Sequence, residues 1–397
     1  MIHIERENYI QRIKPFINTS LIKVIIGQRR VGKSYLLYQI MDFIKDVSNQ
    51  STIIYISKED FEFDFIKDYR ELIEYVNSKV NKTNKNYLLI DEIQEIQDFE
   101  KALRHFSLDS KFDVYCTGSN ANLLSSELAT FLSGRYIEFK VQGLTYSEFL
   151  KFNLLENSDD ALKKYIKWGS LPFVKNLISN DDVIEEYLKN IFSTIIYKDV
   201  VARFQIRNIS FLENLVLFLA HNTGNVISAK KISDYLKAQK INMSPQIVMN
   251  YLKYLEQANL INSCKRKELN GKKIFEIHEK FYFEDWGIRN ALTGFSRIDI
   301  GKVIENIIYL HLKSKGYNVL IGVLGDKEID FIGEKDGLKI YVQVSYLIPD
   351  DSVIEREYGN LKLIKDNFPK YVVSLDQFAP KNIDGIEHVY LRDFLLM

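Results

Sequence analysis

The segment Gly27-Gln28-Arg29-Arg30-Val31-Gly32-Lys33-Ser34 fits the pattern G-x-x-x-x-G-K-[ST]. Few motifs constrain a fold as tightly, because its chemistry needs a strand before it and a helix after it. Backbone N–H groups of such a loop must close on phosphate oxygens, and a Cβ at Gly27 or Gly32 would obstruct that approach. The helix that follows turns its positive dipole end toward the same anion. Both flanks are present. Leu21–Ile26 is an apolar, β-branched run that reads as a buried strand, and Tyr35–Ile40 opens a helix. In this geometry Lys33 reaches the β- and γ-phosphates and the Ser34 hydroxyl ligates Mg2+, with Gly27, Arg30, Val31, Gly32 and Tyr35 completing the nucleotide contacts. Arg29 and Arg30 are expected to face solvent or a neighbouring element.

A second segment, Asn86-Tyr87-Leu88-Leu89-Ile90-Asp91-Glu92, is an apolar strand ending in two acids. A carboxylate at the end of a buried strand can hold Mg2+ opposite Ser34, which assigns Asp91 to the metal. Glu92 projects differently and is the candidate to polarise the attacking water. Taken alone, Asp91 and Glu92 would only end a strand and cap a helix; the P-loop upstream changes that balance. A third strand, Phe112–Cys116, runs into Thr117-Gly118-Ser119-Asn120. Asn120, or Ser119, is placed to hydrogen-bond the lytic water, although Gly-Ser-Asn is also ordinary turn chemistry. Arg135 is the candidate to neutralise charge on the transferred phosphoryl group, with Arg104 a weaker one and a plain surface arginine the alternative.

The chain has 397 residues, enough for two to four domains, and is 46% hydrophobic and 27% charged, as ordinary globular proteins are. Lys+Arg and Asp+Glu both number 53, so net charge nominates no partner. Cys116 and Cys264 lie in different regions and suggest neither a disulfide framework nor a metal site. No apolar run has the length of a membrane span, and residues 1–6 lack the apolar core of a signal peptide; a cytoplasmic setting is expected.

Strand-like segments at 21–26, 52–57, 87–91, 112–116 and 136–140 alternate with helices, the pattern of an open parallel sheet. Residues 145–204 read as a helical lid broken at Trp168-Gly169-Ser170-Leu171-Pro172. Residues 205–285 read as a winged helix. Its helices cover Phe211–Ala220 and Ser228–Leu236, and a third begins at Ser244-Pro245; Asn270-Gly271 then marks a hairpin turn. That hairpin carries Lys265, Arg266, Lys267, Lys272 and Lys273, and residues 205–280 hold 12 lysines and arginines against 6 acids. Such a basic wing suits DNA phosphates, or the module serves protein contact instead. Residues 286–397 read as a further α/β domain with a helix at 303–310, strands at 318–323, 327–333 and 338–344, a helix at 361–365 and a strand at 371–375.

The P-loop, the Asp91-Glu92 strand and Thr117–Asn120 together resemble the AAA+ ATPases. Across nearly the whole chain, Gly27–Ser34, Ile90–Gln94, Ser133–Tyr136, Trp168–Pro172, Asp285-Trp286-Gly287-Ile288-Arg289 and Glu328-Ile329-Asp330-Phe331 resemble a prokaryotic ATP-binding family. That family pairs an AAA-type domain with a winged helix and a C-terminal domain of unknown function. The resemblance implies an α/β fold: a P-loop AAA+-like core at 1–144, a helical lid at 145–204, a winged helix at 205–285 and a C-terminal α/β domain at 286–397. It implies ATP and Mg2+ as ligands, ATP hydrolysis coupled to conformational change on a partner, plausible DNA contact, and ring-like homo-oligomers in which Arg135 acts in its own subunit or across a boundary. The C-terminal domain also resembles the PD-(D/E)xK nuclease (restriction-endonuclease-like) fold, with Glu305, Asp330 and Gln343-Val344-Ser345 at its catalytic positions. Gln343 replaces the second metal-binding acid and Ser345 the lysine, so a degenerate nuclease fold is expected. The alternatives to an ATPase are a nucleotide-gated DNA-binding module with little turnover and a metal-dependent nuclease acting through Glu305 and Asp330.

Overall fold

In a computed structural model the described residues are 4–47, 51–81, 83–119, 132, 134–177, 180–238, 241–269 and 274–397, with the side chains of 274–277 excepted. The chain forms two compact units, residues 1–143 with 257–259, and residues 144–256 with 260–397.

The first unit is built on α1 (Glu7–Ile13), β1 (Ile22–Ile26), α2 (Lys33–Val47), β2 (Thr52–Ser57), α3 (Tyr69–Lys79), β3 (Asn86–Asp91), α4 (Phe99–Ser107), β4 (Phe112–Gly118) and β5 (Tyr136–Lys140). All five strands are parallel, in the order β2-β3-β4-β1-β5. Every residue of β1, β3 and β4 is buried, which is why these strands read as continuous apolar runs rather than alternating ones. Val24, Ile26, Leu88, Ile90, Val114 and Cys116 share one core with Leu72 of α3 and Leu103 and Phe106 of α4. Asp68 starts α3 with a capping box closed by Glu71. The strand expected at 112–116 extends to Gly118, because its pairing with β1 continues through Ile26 opposite Gly118. Thr117 is therefore a strand residue and not part of a turn.

The second unit begins with α5 (Tyr146–Asn153), α6 (Asp159–Trp168) and α7 (Asp181–Thr194), the last running into a π-helix at Ile195–Ala202. Then come α8 (Ile209–His221), β6 (Val226–Ile227), α9 (Ala229–Ala238), α10 (Pro245–Gln257), β7 (Ile261–Glu268), β8 (Ile274–Phe283) and α11 (Trp286–Thr293). The remainder is α12 (Ile300–Ser314), β9 (Asn318–Leu324), β10 (Lys327–Lys335), β11 (Leu338–Val344), α13 (Asp351–Lys362), β12 (Lys370–Ser374), β13 (Asn382–Ile383), β14 (Ile386–Tyr390) and α14 (Leu391–Phe394). Ser228 and Ser244 each accept from the backbone N–H three residues on, the caps expected for α9 and α10. The helix expected at 361–365 instead spans Asp351–Lys362, started by the Asp350 side chain, which accepts from Ser352 N and Val353 N, and residues 363–365 lie beyond its end.

Residues 144–256 and 260–397 make up the second compact unit. A single nine-stranded sheet, β13-β14-β12-β11-β10-β9-β7-β8-β6, runs through both segments. The join is β7 on β9, parallel, with Arg266 opposite Ile321 and Lys267 opposite Gly322. The two sequence motifs at 168–172 and 285–289 lock the helices of the first segment to the rest. Fully buried Asp285 accepts from Ser170 N and Ser170 Oγ, both at 2.7 Å, and from Ile288 N at 3.0 Å. Trp286 Nε1 donates to the Tyr165 carbonyl, and the Arg289 guanidinium bonds the Ala220 carbonyl and pairs with Asp299 at 3.1 Å. Backbones come so close here that a Cβ on Gly287 would lie 2.2 Å from the Trp168 carbonyl oxygen.

Two glycine substitutions separate this staple from generic helix effects. Gly287→Ala is expected to destabilise by about 2 kcal/mol or more, since neither facing backbone can yield. Gly301→Ala in α12, with nothing within 4 Å of its added Cβ, is expected to stabilise by up to about 1 kcal/mol. Denaturant unfolding monitored by far-UV circular dichroism reads both.

A candidate nucleotide site at the end of the parallel sheet

The first sheet places β4 between β1 and β3, so the end of β4 lies between the loop after β1 and the acids after β3. The loop runs from Gly27 to Gly32, and its glycines serve different needs. A Cβ on Gly27 would stand 2.2 Å from the Val141 carbonyl oxygen, whereas Gly32 has open space but a φ of +98°. Arg30 is exposed and itself left-handed, at φ 67°, while Val31 is fully buried beneath the loop. Buried Lys33 opens α2, and its Nζ donates to the Gly27 and Gln28 carbonyls at 3.0 and 3.1 Å. The loop is thus closed on its own lysine, whose ammonium spends two of its three donors on the loop carbonyls. Tyr35, one residue into the helix from Ser34, is 48% exposed.

The acids meet the loop through hydroxyls. Ser34 and Thr117 both hydrogen-bond the Asp91 carboxylate. Thr117 Oγ1 also accepts from Glu92 N at 3.0 Å, so one threonine holds both acidic positions. Asp91 is 1% exposed; burial pushes its carboxyl up from the ordinary value, against the two hydroxyl bonds. Glu92 sits at φ 55°, a left-handed conformation that turns its side chain out of the strand line. Its Oε1 lies 3.8 Å from Lys33 Nζ, and its Oε2 accepts from Gln94 Nε2. The other amide atom, Gln94 Oε1, is buried and has no hydrogen-bond partner among the described residues. Behind the loop, buried Arg6 donates to the carbonyls of Val31, Gln142 and Gly143 at 3.1 to 3.2 Å.

Of the residues singled out in the sequence, Gly27, Val31, Gly32, Lys33, Ser34, Asp91 and Glu92 converge on this one place. Asn120 lies outside the described residues. Arg135 is exposed, and its backbone, not its guanidinium, bonds β1 through Ile22 N at 2.9 Å. Thr117, Gln94 and Arg6 were not anticipated. Thr117 carried a signal, a hydroxyl continuing an apolar strand; Gln94 lay within a quoted motif without a role; Arg6 carried none, because the carbonyls it bonds have no identity in a sequence. Among the described residues no group of three or more His, Cys, Asp or Glu could hold a metal ion. A hard cation here would find the Asp91 carboxylate and the Ser34 hydroxyl, a two-oxygen set that suits Mg2+, which keeps waters and takes phosphate oxygens.

Elsewhere, Glu305 and Asp330 come together on Lys280 in the second unit. Ser345 does not join them; its hydroxyl donates to the Leu347 carbonyl at 3.0 Å. Of the five hairpin cations, Lys265 is exposed, Lys267 pairs with Glu334 at 2.7 Å, and Arg266 lies 4.0 Å from Glu328. Lys272 and Lys273 lie outside the described residues. No helix among the described residues is long and apolar enough to cross a membrane.

An AAA domain model matches residues 19–150, and a domain of unknown function matches residues 159–299. An uncharacterized protein of Haemophilus influenzae is 36% identical over 99% of this chain and 98% of its own length. An uncharacterized protein of Methanocaldococcus jannaschii is 32% identical over 93% of this chain and 86% of its own. The chain belongs to the family of these proteins, and in it an AAA domain is followed by that domain of unknown function. Among solved structures, AMPPCP-bound DnaA from Aquifex aeolicus is 14% identical at a TM-score of 0.32, covering 64% of this chain and 89% of that one. Domain III of the Thermotoga maritima replication initiation protein DnaA is 15% identical at 0.29, covering 64% and 93%. Likenesses of that size carry no argument.

The raised Asp91 carboxyl has a signed consequence. Its folded pKa exceeds its unfolded value, so the folded state holds an extra proton between the two, and stability falls as pH rises through that window. Asp91→Asn is expected to raise the unfolding midpoint of the nucleotide-free protein at pH 8. That gain should vanish below the ordinary carboxyl value of 3.8. Thermal melts across that range check it.

Proposed function

We propose that this member of the AAA-domain family is a Mg2+-dependent ATPase that couples hydrolysis to conformational change on a bound partner. The observation that carries the reading is the meeting of Lys33, Ser34, Asp91, Thr117 and Glu92 at the carboxyl ends of β1, β3 and β4. In this reading Lys33 leaves the Gly27 and Gln28 carbonyls for the β- and γ-phosphates. Ser34 and Asp91 hold Mg2+, which would neutralise charge on the phosphates. Thr117 fixes Asp91, and Gln94 fixes the Glu92 carboxylate that accepts the proton of the attacking water. Arg30, Val31 and Tyr35 complete the nucleotide contacts, Asn120 orients the water, and Arg135 supplies a cation from the same or a neighbouring subunit.

The partner is a separate matter. Residues 205–285, read as a winged helix, offer DNA a locally basic segment, and a nucleotide-gated DNA-binding module remains the second reading. Its support is reduced by Lys267, whose ammonium is engaged by Glu334. Charge already paired within the fold releases fewer counterions on meeting phosphate.

Turnover and binding are expected to separate by residue. Glu92→Gln should lower kcat by about 10²- to 10⁴-fold with nucleotide binding retained. Lys33→Ala should weaken ATP binding by about 10- to 100-fold, the worth of a lost charge-assisted hydrogen bond. Steady-state ATPase assays beside equilibrium binding of a fluorescent ATP analogue distinguish the two; wild-type turnover in both variants would sink the proposal.

A further inference from the structure

The second unit contains an ionic cluster that the ATPase reading does not use. Lys280 on β8 is buried, with only 5% of its side chain exposed. Its Nζ lies 2.9 Å from Glu305 Oε1 on α12, 2.9 Å from Glu328 Oε1 on β10 and 3.4 Å from Asp330 Oδ1 on β10. Two further donors reach these acids: Tyr282 OH donates to the same Glu305 Oε1 at 2.7 Å, and Val344 N donates to Asp330 Oδ2 at 2.9 Å. Gln343 Oε1 turns back to accept from Asp330 N at 3.4 Å.

Glu305 and Asp330 are the acids that the nuclease resemblance assigns to a divalent cation, and they do not fit one here. An ion held by both would need oxygens about 2.0 to 2.6 Å away, which is the space the ammonium fills. It would also face that ammonium at close range in a low-dielectric site, where like charges repel strongly. Burial alone would pull the Lys280 ammonium toward neutrality, but Glu305, Asp330 and Glu328 outweigh it and hold the charge firmly on.

We infer that Lys280 stands in for the divalent cation of a metal-nuclease-like centre, so that Glu305, Glu328 and Asp330 form a metal-free ionic lock and not a catalytic site. The lock ties three elements that are far apart in sequence. Lys280 and Tyr282 come from the hairpin strand β8, Glu305 from α12, and Glu328 and Asp330 from β10. Its role is to hold the β7–β8 hairpin against the rest of the sheet, and phosphodiester cleavage is not among its activities.

Mn2+ titration of the full-length protein without nucleotide, with free ion read by electron paramagnetic resonance, tests this. Wild type and Glu305→Gln are expected to bind Mn2+ indistinguishably, because Glu305 is engaged by protein donors. Lys280→Met should gain one further equivalent, and Lys280→Met with Glu305→Gln should lose it again. Lys280→Arg keeps a cation in place and should gain none. Wild-type Mn2+ binding that Glu305→Gln weakens would overturn the inference, and so would a folded Lys280→Met that gains no ion. If Lys280→Met does not fold, the comparison of wild type with Glu305→Gln decides alone.

Discussion

A buried carboxylate shared between two strands organises the first unit. Asp91 ends β3 and Thr117 nears the end of β4, and the parallel register sets their side chains against each other. Because β4 is inserted between β1 and β3, the same Asp91 also meets Ser34 at the start of α2. The arrangement is costly to the folded chain, since a desolvated carboxylate loses hydration that two hydroxyls only partly replace. The left-handed backbone at Glu92 belongs to the same economy: it swings the second acid out of the strand, toward Lys33 and Gln94.

Much of this was legible in the residues, for reasons that differ from place to place. The loop at 27–34 announces itself by its spacing, and β1, β3 and β4 do so because burial on both faces demands continuous apolar runs. Lys33, Ser34, Asp91 and Glu92 could be named because each motif fixes a spacing along the chain. Thr117 could not be assigned so easily. Its role depends on strand order, and nothing local says that β4 lies between β1 and β3. Arg6 was invisible for a related reason: it donates to the carbonyls of Val31, Gln142 and Gly143, and backbone carbonyls have no identity in a sequence.

The second unit teaches the same lesson at larger scale. Helix caps at Ser228 and Ser244 and the strands β9, β10, β11 and β12 follow local rules and were anticipated, whereas β13 and β14 were not. The pairing of β7 with β9 was not, since a parallel contact between distant segments leaves no periodicity behind. It turns a hairpin and an α/β segment into one sheet, and it explains where several cations go. Lys267 meets Glu334, and Lys280 meets Glu305, Glu328 and Asp330, so charge that looks available along the chain is spent inside the fold. The motifs around Trp168 and Asp285, which carried the family likeness, are there for packing.

The central claim is that Ser34 and Asp91 form one cation site at the foot of the P-loop. Metal-specific rescue tests it most directly. A thiol at position 34 disfavours Mg2+ and favours softer ions such as Mn2+ and Cd2+. ATP hydrolysis by Ser34→Cys should therefore be nearly lost in Mg2+ and restored in Mn2+ or Cd2+, relative to wild type in the same ions. Equal activity of Ser34→Cys and wild type in Mg2+, or a loss in Mg2+ that no softer ion restores in a folded, nucleotide-binding protein, would contradict the account.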